Sequence, residues 1–145
     1  CPPRARRWCA WPKAAPSNRW AAAGATRAVL SKGCHDPWSP KALRGGQGAQ
    51  FVLPVETGVA LQDWLAQFEG DSLALALGEA GSLYARSLTG SLAIVVGNEG
   101  AGLSAEVRAA ARAQVYIPMQ GKVESLNAAA ALAVAVFEAA RQRVA

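Results

Sequence analysis

The chain has 145 residues, 52% of them apolar and five of them Trp, which suits one domain with a real core, and its formal charge of +5 sits wholly at the front: residues 1–44 hold nine Lys/Arg and one acid, the rest six and nine. Three cysteines (Cys1, Cys9, Cys34) lack paired spacing, and the single histidine, His35, cannot complete a metal set, which sets aside a disulfide scaffold, a metal centre and a histidine-based nucleophilic mechanism. No run of about eighteen uncharged apolar residues occurs and the start lacks the order of a signal peptide, so neither membrane nor export is indicated and a cytoplasmic location is expected.

The first twenty residues, "CPPRARRWCAWPKAAPSNRW", mix Pro, Arg, Ala and Trp with neither a helical nor an alternating period. Residues 1–20 are therefore expected to be a disordered or misannotated basic leader, with an RNA-binding arm as the alternative, and residues 21–145 to be the folded domain. From Ala21 the pattern changes. "RAVLS" has the composition of a strand, and "SPKALR" of a helix start, with Ser39 as cap and Pro40 at the first helical position. "QFVLPV" is expected as the next strand. In "VALQDWLAQF", Leu61, Trp64, Leu65 and Phe68 recur at three and four residues and give a helix one apolar face. "SLALAL" and "SLAIVV" are two further strands, the second almost continuously apolar, as a strand covered on both faces would be. A helix, a strand ending "VYIP" and a long last helix complete an α/β fold, a mainly parallel sheet with helices on both faces. The last helix is apolar all round (Leu126, Leu132, Val134, Val136, Phe137), so it must be covered by the sheet and by a second subunit.

Ligands of open α/β sheets bind beyond the carboxyl ends of strands, and two strand tails here are unusual. "IVVGNEGAGLS" runs a buried strand into a glycine-rich loop before a helix near Ser104, where bare backbone could lie against a ligand. The loop fits a dinucleotide fingerprint poorly, because Gly97 is followed by Asn98 and Glu99 and the Glu would repel a pyrophosphate. "IPMQGKVESLNAAAALAVAVFEAAR" halts the ladder at Pro118, permits a reversal at Gly121, and offers Ser125 or Asn127 as cap of the last helix. Capping does not account for two polar tails meeting at one sheet edge.

These two stretches, together with "LSKGCHDPWSPKALRGGQGAQFVLPV", resemble the SpoU (TrmH-like) RNA 2′-O-ribose methyltransferases of the SPOUT superfamily, over about residues 21–143. The resemblance implies a C-terminal deep trefoil knot whose loops hold S-adenosyl-L-methionine, with Gly97, Ile117, Met119 and Leu126 as cofactor contacts. It implies a homodimer with the last helix at the interface, and an RNA substrate, ribosomal ahead of transfer RNA. Glu99, Ser125 and Asn127 carry over as catalytic residues acting on the ribose. The chief catalytic Arg of the family's first motif, Asn-x-Gly-x-x-x-Arg, has no counterpart in residues 1–30; the nearest candidate is Arg19, between Asn18 and Gly24 and one residue too close to that glycine. The family's first strand is expected to be lost as well. Two functions follow from the resemblance: an RNA 2′-O-methyltransferase, or a catalytically weak remnant that still binds cofactor or RNA. A nucleotide-binding oxidoreductase is a third class.

Overall fold

In chain order the strands are β1 (Arg7–Trp11), β2 (Arg27–Ser31), β3 (Val55–Val59), β4 (Asp71–Leu75), β5 (Gly81–Ser82), β6 (Leu92–Val95) and β7 (Ala113–Tyr116). The helices are α1 (Asn18–Ala22), α2 (Pro40–Gly46), α3 (Leu61–Gln67), α4 (Ala105–Ala110) and α5 (Ala128–Val144). They belong to a computed structural model that describes residues 7–11, 18–77, 80–98, 100–121 and 125–144. The strands form one sheet in the order β3-β2-β1-β6-β4-β7-β5, and every described pairing is parallel. A fully parallel sheet puts all carboxyl ends on one edge, so the loops after β2, β3, β4, β6 and β7 emerge together.

The expectation that the first strand is lost is overturned. Arg7–Trp11 lies in the middle of the sheet as β1, with Cys9 in register with Ala28 of β2 on one side and Ile94 of β6 on the other. A five-residue segment between Pro-containing stretches shows no period of its own; pairing on both sides is what makes it a strand. The rest of the expected leader divides: Asn18 already opens α1, while residues 1–6 and 12–17 lie outside the described residues. Trp20 of α1 is 1% exposed and belongs to the main core.

"QFVLPV" is also corrected. Ala49–Phe51 form one 3-10 turn after Gly48, whose φ is +77°, and the strand begins only at Val55. Pro54 has no N–H for a ladder, but its carbonyl accepts from Ala28 N at 2.9 Å and so starts the β2–β3 pairing. Leu53 turns into the core while Phe51 and Val52 remain exposed.

β6 divides the core in two by simple alternation. Leu92, Ile94 and Val96 join the cluster that contains Trp20 of α1 and Leu132, Ala135, Val136 and Ala139 of α5. Ala93 and Val95 face the other way, with Leu61 and Leu65 of α3 and Val107 of α4. The α3 face expected from the sequence is present, with Trp64 and Phe68 stacked at 5.2 Å. At the far end of α5, Gln142 accepts from Leu88 N at 2.8 Å and donates to Arg86 O at 3.1 Å, and Arg143 donates to the Leu88 carbonyl at 3.0 Å. These bonds pin the helix to the loop before β6. Phe137 stays 49% exposed on its outer side.

Candidate active site

The loop that follows β6 is shaped by hydrogen bonds within itself. Asn98 Oδ1 accepts from Gly100 N at 2.9 Å and from Ala101 N at 2.6 Å, and the Asn98 carbonyl accepts from Gly102 N at 3.0 Å. The chain thus folds back on itself within five residues. At Gly97 a Cβ would stand 2.1 Å from the Gly102 carbonyl carbon and 2.4 Å from Leu103 N, so only glycine fits there. Gly102 closes the turn at φ +65°. Ser104 then caps α4, its Oγ accepting from Val107 N at 3.3 Å.

The segment after β7 is anchored at its far end. Asn127 Oδ1 accepts from Ala129 N at 2.9 Å and from Ala130 N at 3.3 Å, and the Asn127 carbonyl takes the first helical bond, from Ala131 N at 2.9 Å. Of the two expected candidates, Asn127 is therefore the α5 cap. Ser125, Leu126 and Asn127 are all exposed just ahead of the helix.

Between these two loops lies a cavity of about 570 Å³, within the range of small-molecule sites. It is lined by Val96–Asn98 and Gly100–Leu103 of the glycine loop, by Leu75–Leu77 at the end of β4, and by Ser125–Ala128. Leu77 and Leu126 are 66% and 40% exposed, two large apolar side chains bordering the same space. Arg108, on the exposed side of α4, adds a cation to the lining.

Four of the residues expected from the sequence thus meet here: Gly97, Ser125, Leu126 and Asn127. Ile117 instead packs against the main core, Met119 is half-buried, and neither borders the cavity. Arg19 is exposed in the first turn of α1, outside the cavity lining. Glu99 lies outside the described residues. The sequence reasoning missed Arg108 and Leu77. Arg108 stands four residues past the Ser104 cap, so one helical turn returns it toward the loop; that spacing was the signal available.

The SpoU rRNA Methylase family model matches residues 18–137 of this chain. The chain belongs to the SpoU family. It is 33% identical over 119 residues to the Bacillus subtilis 23S rRNA (guanosine(2553)-2′-O)-methyltransferase RlmP, covering 80% of this chain and 48% of that protein. It is 36% identical over 132 residues to the Vibrio cholerae 23S rRNA (guanosine-2′-O-)-methyltransferase RlmB, covering 86% of this chain and 51% of that protein. The chain therefore spans about half the length of these SpoU relatives. The crystal structure of the SpoU methyltransferase AviRb from Streptomyces viridochromogenes, in complex with the cofactor AdoMet, aligns with a TM-score of 0.83 at 28% identity, over 99% of this chain and 63% of that one. An AdoMet-bound rRNA methyltransferase from Sinorhizobium meliloti aligns with a TM-score of 0.82 at 26% identity, over 97% and 57%.

Among the described residues no three His, Cys, Asp or Glu side chains cluster in a way that could hold a metal ion. Nor is any described helix long and apolar enough to cross a membrane.

Proposed function

We propose that this chain is the methyl-transfer domain of an RNA 2′-O-ribose methyltransferase, with S-adenosyl-L-methionine as donor and ribosomal RNA, ahead of transfer RNA, as substrate. The observation that carries this reading is the cavity between the two loops, where exposed Leu77 and Leu126 border bare glycine backbone. Such a lining suits the cofactor's parts: apolar walls for an adenine ring, close backbone for a ribose, and Arg108 for the methionine carboxylate. When bound, the cofactor supplies an electrophilic methyl group on a positively charged sulfur.

The chain's own task is to deliver a poor nucleophile. Ser125 and Asn127, at the cavity rim, would hold the ribose 2′-hydroxyl in line, and Glu99 would assist from the glycine loop. Removal of the hydroxyl proton is the task the resemblance gives to the first-motif Arg, which has no counterpart here, and Arg19 is the nearest candidate to take it over. Arg19 stands exposed in the first turn of α1. Because the first-motif spacing is altered and Arg19 is outside the cavity lining, methylation is expected well below that of an intact relative, by about 10²- to 10⁴-fold. Those same two observations favour the second reading, a weak remnant that binds cofactor or RNA.

Three further features belong to this reading. A C-terminal trefoil knot would arise where residues 115–127 tuck beneath the loop of residues 97–102; the two segments bordering one cavity support it. Dimerisation through α5 is supported by its exposed Phe137. A cytoplasmic location is consistent with ribosomal RNA as substrate.

Calorimetry with S-adenosylmethionine and transfer of its labelled methyl to total RNA, on one preparation, test the proposal. Micromolar affinity, about 8 kcal/mol, with label in ribose is the expected result. No heat of binding would sink the reading; binding without label would leave the remnant.

A further inference from the structure

The exposed large apolar side chains are unevenly spread. Leu77 and Leu126 border the cavity and Phe137 and Val144 lie on α5, but Trp38, Phe51 and Val52 gather elsewhere, 47%, 76% and 71% exposed. The rings of Trp38 and Phe51 meet edge to face with centroids 5.9 Å apart. The backbone that carries them is held firmly. Trp38 N donates to Asp36 Oδ1 at 2.9 Å, and Phe51 N to Gly48 O at 3.0 Å. Buried Gln50 donates to the carbonyls of Pro37 and Ala42 at 3.0 and 3.1 Å, tying the Trp38 loop to the Phe51 turn. With the main chain beneath both rings fixed in this way, the exposed apolar surface needs little backbone ordering on binding.

Charge selects the occupant. Lys32, Lys41 and Arg44 are exposed on the same loop and helix, and the single acid there, Asp36, is engaged with Trp38 N. A second copy docking on this patch about a two-fold axis would oppose cation to cation. A polyanion with aromatic faces fits both features at once, since stacking needs rings and phosphates need Lys and Arg.

The patch also connects to the methyl-transfer site. The Trp38 loop leaves the carboxyl end of β2, where Ser31 and Lys32 line a second cavity of about 390 Å³ together with Gly102, Leu103 and Ser104. Gly102 and Leu103 border the first cavity as well, so one glycine loop separates the two.

We propose that Trp38 and Phe51 form a stacking platform for unpaired bases of the substrate RNA. Lys41 and Arg44 contact its phosphates, and the second cavity leads the strand past Lys32 toward the methyl-transfer site. The proposal rests on the RNA-methyltransferase reading above. The probe is a fluorescein-labelled single-stranded RNA of about twelve nucleotides, compared by anisotropy with the same oligonucleotide made abasic at its centre. The unaltered protein should prefer the base-containing strand about 10-fold, Trp38→Ala or Phe51→Ala should bring that ratio toward one, and Trp38→Phe should restore it. Lys41→Gln with Arg44→Gln should weaken both probes equally and flatten the salt dependence. An unchanged ratio in both alanine variants overturns the platform. So does a dimer that Trp38→Ala splits while RNA binding stays the same, since the patch is then a subunit contact. Cofactor calorimetry on the same preparations separates the two claims: a normal heat with an unchanged ratio removes the platform alone, and an absent heat with the expected ratio removes the enzyme reading alone.

Discussion

The two loops that wall the cavity follow opposite plans. After β6 the chain bonds to itself, through three hydrogen bonds centred on Asn98 and a contact at Gly97 too close for any side chain. After β7 the described anchor is at the far end, where Asn127 caps α5 and leaves Ser125 and Leu126 exposed at the rim. The first loop is a shape that chemistry is hung on; the second is a set of side chains delivered by a helix start. Substitutions in the first should therefore cost fold and binding together, whereas those in the second should change chemistry more than stability.

The strongest attempt to break that contrast is Gly97→Ala. Its Cβ would overlap backbone, which cannot swing aside as a side chain would, so a loss of about 3 kcal/mol is expected along with cofactor binding. A melting curve and a calorimetric titration both near the original would mean that the loop opens more easily than its contacts indicate. Asn98→Ala comes next. It removes the acceptor of two backbone N–H groups and should cost about 1–2 kcal/mol, again weakening cofactor binding in step with stability.

Asn127→Ala sharpens the comparison from the other loop. Loss of the cap should cost about 1 kcal/mol, while ribose methylation should fall much further than that with cofactor affinity little changed. Equal losses in all three measurements would make Asn127 a cap and nothing more. Arg108→Gln should leave the melting temperature unmoved and raise the dissociation constant for S-adenosylmethionine about 10-fold, near 1.4 kcal/mol; a decarboxylated cofactor should bind both proteins alike.

The smallest effect is expected far from either loop. Hydrogen bonds from Arg141 and then Gln142 hold the Glu138 carboxyl at about 2, below its ordinary 4.5. A carboxylate with a depressed value stabilises the fold above its ordinary range and loses that contribution as pH falls from about 4.5 through about 2. Acid denaturation of Glu138→Gln should thus differ from the parent at neutral pH and converge with it across that window. The difference should be slight, because Arg141 is 66% exposed. A gap that persists below pH 2 would point to packing around Gln142 as the cause.

Local chemistry in the chain determined much of this protein. The Ser39–Pro40 helix start, the α3 face of Leu61 and Leu65, the alternating apolar run of β6 and the two polar strand tails each carry their signal within a few residues, because helix period, strand period and capping are short-range effects. The same stretches carried the family resemblance and four residues of the cavity. Tertiary structure decided the rest. Arg7–Trp11 is a strand because β2 and β6 flank it, and those partners are about 20 and 85 residues further along the chain. Phe51 and Val52 turn outward because Leu53 claims the core and Pro54 cannot join the ladder. Ile117 and Met119 sit away from the cavity while Leu77 and Arg108 border it, a sorting set by where parallel strands end on one edge rather than by any pattern along the chain. Pairing partners and shared edges are long-range facts, and a sequence read locally contains no term for them.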